Sequence, residues 1–109
     1  MELRYVIKFV SQMDQAVSFH RDALGLPLKF QSPEWTEFDT GETTLALHLT
    51  DDTHAAGSCQ LGFSTSALDA FFEEREKRGI SFTMAPTNMH GQRIARFCDP
   101  DGAETSVSE

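Results

Sequence analysis

The stretch Gly91–Ser108, GQRIARFCDPDGAETSVS, decides the fold of this chain. It contains two runs suited to β-structure, Arg93–Cys98 and Ala103–Val107, which are joined by the turn sequence Asp99–Gly102. Proline presets φ at the first central position of a turn, aspartate side chains bond nearby backbone N–H groups, and glycine tolerates positive φ. The stretch therefore predicts a β-hairpin that closes the chain.

The first half of the chain predicts a strand, a helix and three further strands. Leu3–Val10 is β-branched and aromatic, and it predicts the opening strand. Asp14 is the predicted N-cap of a helix that Gly25 ends. The three later strands are predicted at Leu28–Gln31, Trp35–Asp39 and Thr43–Leu49.

The same order of elements restarts after the small and polar segment Asp51–Ser58, which is the predicted linker. Cys59–Thr65 predicts a strand, and a capping box at Ser66 predicts a helix that Gly79 ends. The strand Ile80–Met84 is predicted to stop before Pro86, and the terminal hairpin follows. The repeat predicts an α+β fold in which two tandem βαβββ modules form a curved mixed sheet with a groove, and the helices lie on its outer face.

Length and charge narrow the class of protein. A chain of 109 residues predicts one domain, 1–109, with modules at about 1–50 and 58–109. A net charge of −8 argues against nucleic acid and anionic membranes as partners, because both select Lys and Arg patches. Two cysteines without metal-ligand spacing, and no apolar run of about 20 residues, predict a cytoplasmic protein without membrane spans.

Alternation along Thr43–Leu49 separates two faces of a strand. Leu45, Leu47 and Leu49 share one face, whereas Thr44, Ala46 and His48 share the other. The face with small and polar side chains suits a groove better than a core. His48 is therefore a predicted ligand contact, and the alternative is a histidine that is hydrogen-bonded within the sheet or an interface.

Four motifs together are similar to those of a known superfamily. The chain resembles the vicinal oxygen chelate superfamily, which includes glyoxalase I, bleomycin-resistance proteins, fosfomycin-resistance enzymes and extradiol dioxygenases. The motifs are the helix that ends in Leu-Gly-Leu at Ala16–Leu26, Gly41 with Leu45-Ala46-Leu47, the segment Leu68–Gly79, and Phe97–Gly102. The resemblance implies paired βαβββ modules and a homodimer whose grooves are built from modules of both subunits.

The resemblance also implies where a divalent metal would be held in the metalloenzymes of this superfamily. Those enzymes place His and Glu at positions that here hold Tyr5, His48, Gln60 and Ser106. Only His48 is a strong metal donor among them. Glu104 is two residues from Ser106 and shares its strand face, so His48 and Glu104 are weak metal candidates. We therefore expect no metal and no other cofactor.

These observations predict a metal-independent small-molecule-binding protein of the glyoxalase/bleomycin-resistance family, with a compact ligand in a dimer groove. Trp35 and Phe38 are predicted aromatic walls, with core or dimer packing as the alternative. The alternative function is a metal-dependent glyoxalase-like lyase or dioxygenase with a non-standard ligand set. A regulatory subunit that acts through protein contacts is a third hypothesis. The predicted groove comprises Tyr5, Trp35, Phe38, His48, Gln60, Glu104 and Ser106.

Overall fold

The computed structural model describes all 109 residues, Met1–Glu109. The chain divides into two compact units: the first is Arg4–Cys59, and the second is Gln60–Glu109 together with Met1–Leu3. Each unit has the order strand, helix, strand, strand, strand. In both units a second short helical segment follows the first helix. The predicted α+β class with two βαβββ repeats is confirmed.

The first unit is a four-stranded mixed sheet. Its elements are β1 (Glu2–Val10), α1 (Met13–Ser18), a π-helical turn (Phe19–Ala23), β2 (Leu28–Phe30), β3 (Trp35–Asp39) and β4 (Thr44–Leu49). The strands lie in the order β2-β3-β4-β1, with β1 parallel to β4 and the other pairs antiparallel. Strand β2 is therefore the outer strand of this unit.

The side of the first sheet that carries α1 holds a dense apolar core. Strand alternation places Val10, Phe38 and Leu47 on this side, where they pack with Met13 and Val17 of α1. Phe38 and Leu47 are fully buried. The predicted split of β4, with its leucines on one face and Ala46 and His48 on the other, is confirmed.

The second unit repeats this arrangement. Its elements are β5 (Cys59–Ser64), α2 (Leu68–Glu73), α3 (Arg75–Arg78), β6 (Ser81–Met89), β7 (Gln92–Cys98) and β8 (Glu104–Ser108). The strands lie in the order β5-β8-β7-β6, and β5 is parallel to β8. Its core holds Leu68, Ala95 and Val107, against which four phenylalanines pack: Phe63, Phe71, Phe82 and Phe97.

The predicted terminal hairpin is confirmed as β7 and β8, joined by the turn Asp99–Gly102. The Asp99 carboxylate accepts hydrogen bonds from the backbone N–H groups of Asp101 and Ala103, each at 2.9 Å. Gly102 has a φ of +85°, which only glycine adopts without strain. The turn chemistry read from the sequence therefore operates as expected.

Three local predictions are wrong. Helix α1 begins at Met13 after Gln12, so Asp14 lies in its first turn, where a negative charge favours the helix dipole. Helix α2 follows Ala67, which has no side-chain oxygen to cap it, and the Ala67 N–H donates to the Thr65 hydroxyl at 3.2 Å. The predicted capping box is absent.

The third error concerns Pro86, which does not end its strand. Strand β6 continues to Met89, with register irregularities between Phe82 and Met84 and between Met84 and Thr87. Proline is tolerated there because β6 is the outer strand of the second unit and the ladder is already interrupted.

None of the helices is both long enough and apolar enough to cross a bilayer.

Candidate functional site

The face of the first sheet opposite α1, here called the helix-free face, brings a set of aromatic and polar side chains together. Cross-strand register aligns Phe9 with His48 and His48 with Trp35, and it aligns Ala46 with Ile7 and Glu37. Because residues directly opposite each other share a face, these side chains form two adjacent rows. Tyr5 extends the face along β1 and packs against the same cluster.

Aromatic rings form most of this face. The Trp35 ring meets Tyr5 and His48 edge-on, with ring centroids 6.0 Å and 5.8 Å apart. The Phe9 and His48 rings are tilted by 46° to each other, with their centroids 5.2 Å apart. Edge-to-face contacts of this kind fix the ring planes and favour a rigid wall. Trp35, Tyr5 and His48 remain partly exposed, whereas Phe9 is buried.

Glu37 is a carboxylate on this face that the sequence reasoning missed. The Trp35 indole N–H donates to Glu37 Oε2 at 2.8 Å, and Lys29 Nζ lies 3.9 Å from Glu37 Oε1. The Glu37 side chain is only 18% exposed. The signal that could have found it is period 2 along β3, which places Glu37 beside Trp35.

His48 presents one ring nitrogen to the site. Its Nδ1 lies 2.6 Å from the Leu49 carbonyl oxygen, an acceptor, so Nδ1 carries the proton that is donated. A neutral imidazole in this tautomer keeps a lone pair on Nε2. Nε2 is therefore able to accept a hydrogen bond from a ligand.

The linker contributes a second histidine. His54 stacks on Phe9 with the rings 5° from parallel and 4.1 Å between centroids. Its Nδ1 lies 2.9 Å from an Asp51 oxygen, which also accepts from the Thr53 backbone N–H and hydroxyl. The hydrogen bonds from Thr53, then that from His54, hold the pKa of Asp51 well below its usual range. The sequence gives no signal that His54 stacks on Phe9, because this contact depends on the fold.

The structure brings together three of the predicted groove residues: Tyr5, Trp35 and His48. The prediction that Phe38 is a groove wall is wrong. Phe38 is three residues after Trp35, so strand alternation turns it to the opposite face, where it is buried in the core beside α1. Trp35 alone supplies the aromatic wall of β3.

The other three predicted residues belong to the second unit. Glu104 accepts a hydrogen bond from the Thr83 hydroxyl at 2.9 Å. Ser106 is partly buried and aligned with Gly62 of β5, and Gln60 is buried. Strand alternation places Gln60 on the same face as Gly62, and Glu104 on the same face as Ser106.

These residues do not fit a divalent-metal site. Tyr5, Gln60 and Ser106 are weak donors, and His48 already uses Nδ1. No group of three or more His, Cys, Asp or Glu side chains is placed to hold a metal ion. A metal-dependent active site needs about three strong protein ligands and an open position.

A shallow depression of about 320 Å³ lies elsewhere on the first unit and is open to solvent. Apart from Phe9, its lining does not include the rings of the helix-free face. The lining includes Lys8, Gln12, Gln15, Phe19 and Gly57. The aromatic face and this depression are therefore distinct candidates for ligand contact.

Comparison with known proteins places the chain in a class. The sequence profile of the Glyoxalase/Bleomycin resistance protein/Dioxygenase superfamily matches residues 2–107. The chain belongs to this superfamily, as its motifs predicted. It is 28% identical to the uncharacterized protein YraH of Bacillus subtilis (strain 168), across 93% of this chain and 92% of that protein.

Two solved structures share the fold. A glyoxalase/bleomycin resistance protein/dioxygenase superfamily member from Vibrio splendidus 12B01 has a TM-score of 0.78 at 16% identity, over 97% of each chain. Methylmalonyl-CoA epimerase from Mycobacterium tuberculosis also has a TM-score of 0.78, at 18% identity, over 99% of this chain and 87% of that one. At these identities the likeness concerns the fold alone.

Proposed function

We propose that this protein is a metal-independent binder of a compact small molecule, and that the ligand contacts the helix-free face of the first unit. One cluster of side chains carries the proposal. In it, the Trp35 ring contacts Tyr5 and His48 edge-on, and the Trp35 indole N–H donates a hydrogen bond to Glu37. Apolar walls with a few placed polar groups are typical of small-molecule sites.

The chemistry of the cluster favours an aromatic or cationic ligand. Aromatic faces attract cations, and the Glu37 carboxylate adds a negative charge beside them. Lys29 offsets part of that charge, but its side chain is 54% exposed and its Nζ lies 3.9 Å away, so this ion pair is weak. The net charge of −8 adds a modest long-range attraction for a cation.

His48 supplies directionality in this proposal. Because its Nδ1–H is held by the Leu49 carbonyl, the ring cannot turn freely, and Nε2 is the group that meets a ligand donor. A ligand that carries both an aromatic ring and a hydrogen-bond donor satisfies the cluster best. The superfamily membership supports the proposal, since bleomycin-resistance proteins are part of the superfamily description.

Thermal-shift screening tests the proposal, with a cationic glycopeptide and a panel of aromatic metabolites as probes. We expect saturable stabilisation by at least one of them. Trp35→Leu should then weaken that binding about fivefold to thirtyfold, through the loss of ring contacts. His48→Ala should also weaken binding relative to the parent protein, and this loss should be confined to probes that carry a hydrogen-bond donor. Phe19→Leu is the matched control, because Phe19 is exposed and lines the separate depression.

Two outcomes would contradict the proposal. The first is a panel without any stabilising probe, or a probe whose affinity changes with Phe19→Leu but not with Trp35→Leu. The second concerns the alternative function, a metal-dependent lyase or dioxygenase. Elemental analysis of protein purified without a histidine tag tests that function. Near-stoichiometric Ni, Zn, Fe or Mn would replace our proposal with the metal-dependent one.

We further propose that the protein works as a homodimer in the cytoplasm. Exposed apolar side chains on the first unit support self-association, and they include Leu24, Leu28 and Phe30. Cys59 and Cys98 are free thiols, which suits a reducing compartment. The oligomeric state is tested at the scale of the whole molecule below.

A further inference from the structure

Arg96 of β7 is unlike every other arginine of the chain, because its guanidinium has no partner. Arg93 pairs with Asp69, Arg21 with Asp22 and Arg78 with Glu74. Arg4 lies over the Tyr5 ring and Arg75 over the Phe72 ring. Arg96 is partly buried, and its guanidinium makes no hydrogen bond, ion pair or ring contact in a chain that carries 17 acidic residues.

The position of Arg96 explains why the acidic residues do not reach it. Its neighbours along β7, Ala95 and Phe97, pack into the core beside α2, so Arg96 lies on the helix-free face of the second unit. Glu104 is a carboxylate on that face, and it is aligned with Cys98, two pairs further along the ladder. The Thr83 hydroxyl donates to Glu104 Oε2, and no Arg96 nitrogen lies within ion-pair distance of it.

The side chains directly across from Arg96 complete a small binding surface. Register aligns Arg96 with Ser106 on β8 and with Met84 on β6. The Ser106 hydroxyl also has no partner within the chain, and its other neighbour, Gly62, carries no side chain that could bond to it. A guanidinium, a hydroxyl and an apolar thioether therefore occupy three adjacent strands.

We propose that Arg96 and Ser106 bind the carboxylate of a small organic acid, whose apolar body rests against Met84. The planar guanidinium offers two parallel N–H groups that match the two oxygens of a carboxylate, and the Ser106 hydroxyl is a third donor. One positive charge matches a monoanion better than a phosphate, which carries about −1.5 to −2 at neutral pH. This carboxylate site does not depend on the function proposed for the first unit.

A titration of the full chain with benzoate tests the site, followed by ¹⁵N-edited NMR at constant ionic strength. We expect saturable shifts of the Arg96 side-chain Nε–H and of the Ser106 amide. Because the protein is strongly acidic, weak unspecific association of benzoate is suppressed. Arg96→Gln should weaken binding about tenfold or more, and Arg96→Lys should weaken it as well because the fork is lost. Arg78→Gln, which removes the same charge at an exposed helix position, should leave it unchanged.

Ser106→Ala keeps the assignment testable even where substitution of Arg96 impairs folding. This variant leaves Arg96 in place and should weaken benzoate binding severalfold. Shifts that do not saturate, shifts that are the same in Arg96→Gln and the parent, or inorganic phosphate binding more tightly than benzoate would each overturn the carboxylate site. The benzoate titration does not involve Trp35 or His48, so its failure is distinguishable from failure of the proposed function.

Discussion

Trp35 and Phe38 lie on one short strand, yet they have opposite environments. Trp35 is partly exposed beside Tyr5 and His48, whereas Phe38 is fully buried among Val10 and Leu47. Three residues of separation on a strand always place two side chains on opposite faces. At the residue scale, therefore, Phe38 is a stability residue and Trp35 is the candidate for ligand contact.

Phe38→Ala should lower the free energy of unfolding by about 3–5 kcal/mol, because it removes a buried ring and leaves a cavity. Urea unfolding followed by circular dichroism measures the effect. Trp35→Ala is the comparison variant and should cost less, since part of its ring is already in contact with water. Equal losses for the two variants would contradict the separation of roles.

The lowered pKa of Asp51 predicts that part of the folding stability depends on pH through this one carboxylate. Its pKa is lowered in the folded state by hydrogen bonds from Thr53 and His54, so the ionised form stabilises folding. That contribution is fully present above the unfolded-state pKa of about 4, and it is lost as the pH falls towards the lowered pKa.

Asp51→Asn should therefore lower the melting temperature at pH 7, and the difference from the parent should shrink as the pH falls below about 4. Differential scanning calorimetry between pH 7 and pH 3 measures this. Asp52→Asn is the matched control, because Asp52 is exposed and makes no hydrogen bond through its side chain. A difference that stays constant with pH would remove the assignment to the Asp51 carboxylate.

At the scale of the element, helices α1 and α2 both begin without a side-chain cap. Gln12 precedes α1 with an extended backbone, at φ −132° and ψ 98°, and its side chain bonds to none of the free N–H groups of the first turn. Helix α1 is six residues long, so its packing through Met13 and Val17 must hold it in place. A side chain that caps the helix at this position should therefore stabilise the folded chain.

Gln12→Ser should raise the free energy of unfolding by about 0.5–1 kcal/mol, because the serine oxygen can accept an N–H of the first turn from the extended backbone already present. Gln12→Ala is the control, and it should gain nothing. Urea unfolding of both variants measures the change. A gain that is the same for alanine would point to side-chain entropy rather than capping.

At the scale of the whole molecule, the proposed homodimer rests on the apolar surface that one chain leaves exposed. Phe9 and Phe38 are buried within one chain, so they offer no apolar surface to a second chain. Leu28 and Phe30 are exposed instead, and both lie on β2, the outer strand of the first unit. Unpaired outer strands with apolar side chains favour self-association.

We expect static light scattering at micromolar concentration to give twice the 12.2 kDa mass of one chain. A stable interface of this kind should bury about 1,600 Å² in total or more. Phe30→Ser should shift the equilibrium towards the monomer, while Phe72→Ser, on α2, should not. A folded monomer at these concentrations would remove the homodimer from the proposal.

Sequence patterns determined the class of fold, the repeat and three residues of the candidate site, namely Tyr5, Trp35 and His48. The turn Asp99–Gly102, the glycines that end the helices, and the alternation along β4 depend on neighbours in the chain, so local chemistry was enough to predict them. His48 and Tyr5 could be placed because a strand's two faces follow from period 2. The same period places Phe38, three residues after Trp35, on the core face, so the prediction of Phe38 as a groove wall is wrong.

Only the tertiary structure decided which groups have partners. Glu37 receives the Trp35 indole N–H, His54 stacks on Phe9 across the linker, and Arg96 is left without a carboxylate. Pro86 could remain in a strand because β6 lies at the edge of its unit's sheet. Each of these outcomes depends on register and strand order, which bring residues distant in sequence into contact, and no local pattern encodes those distances.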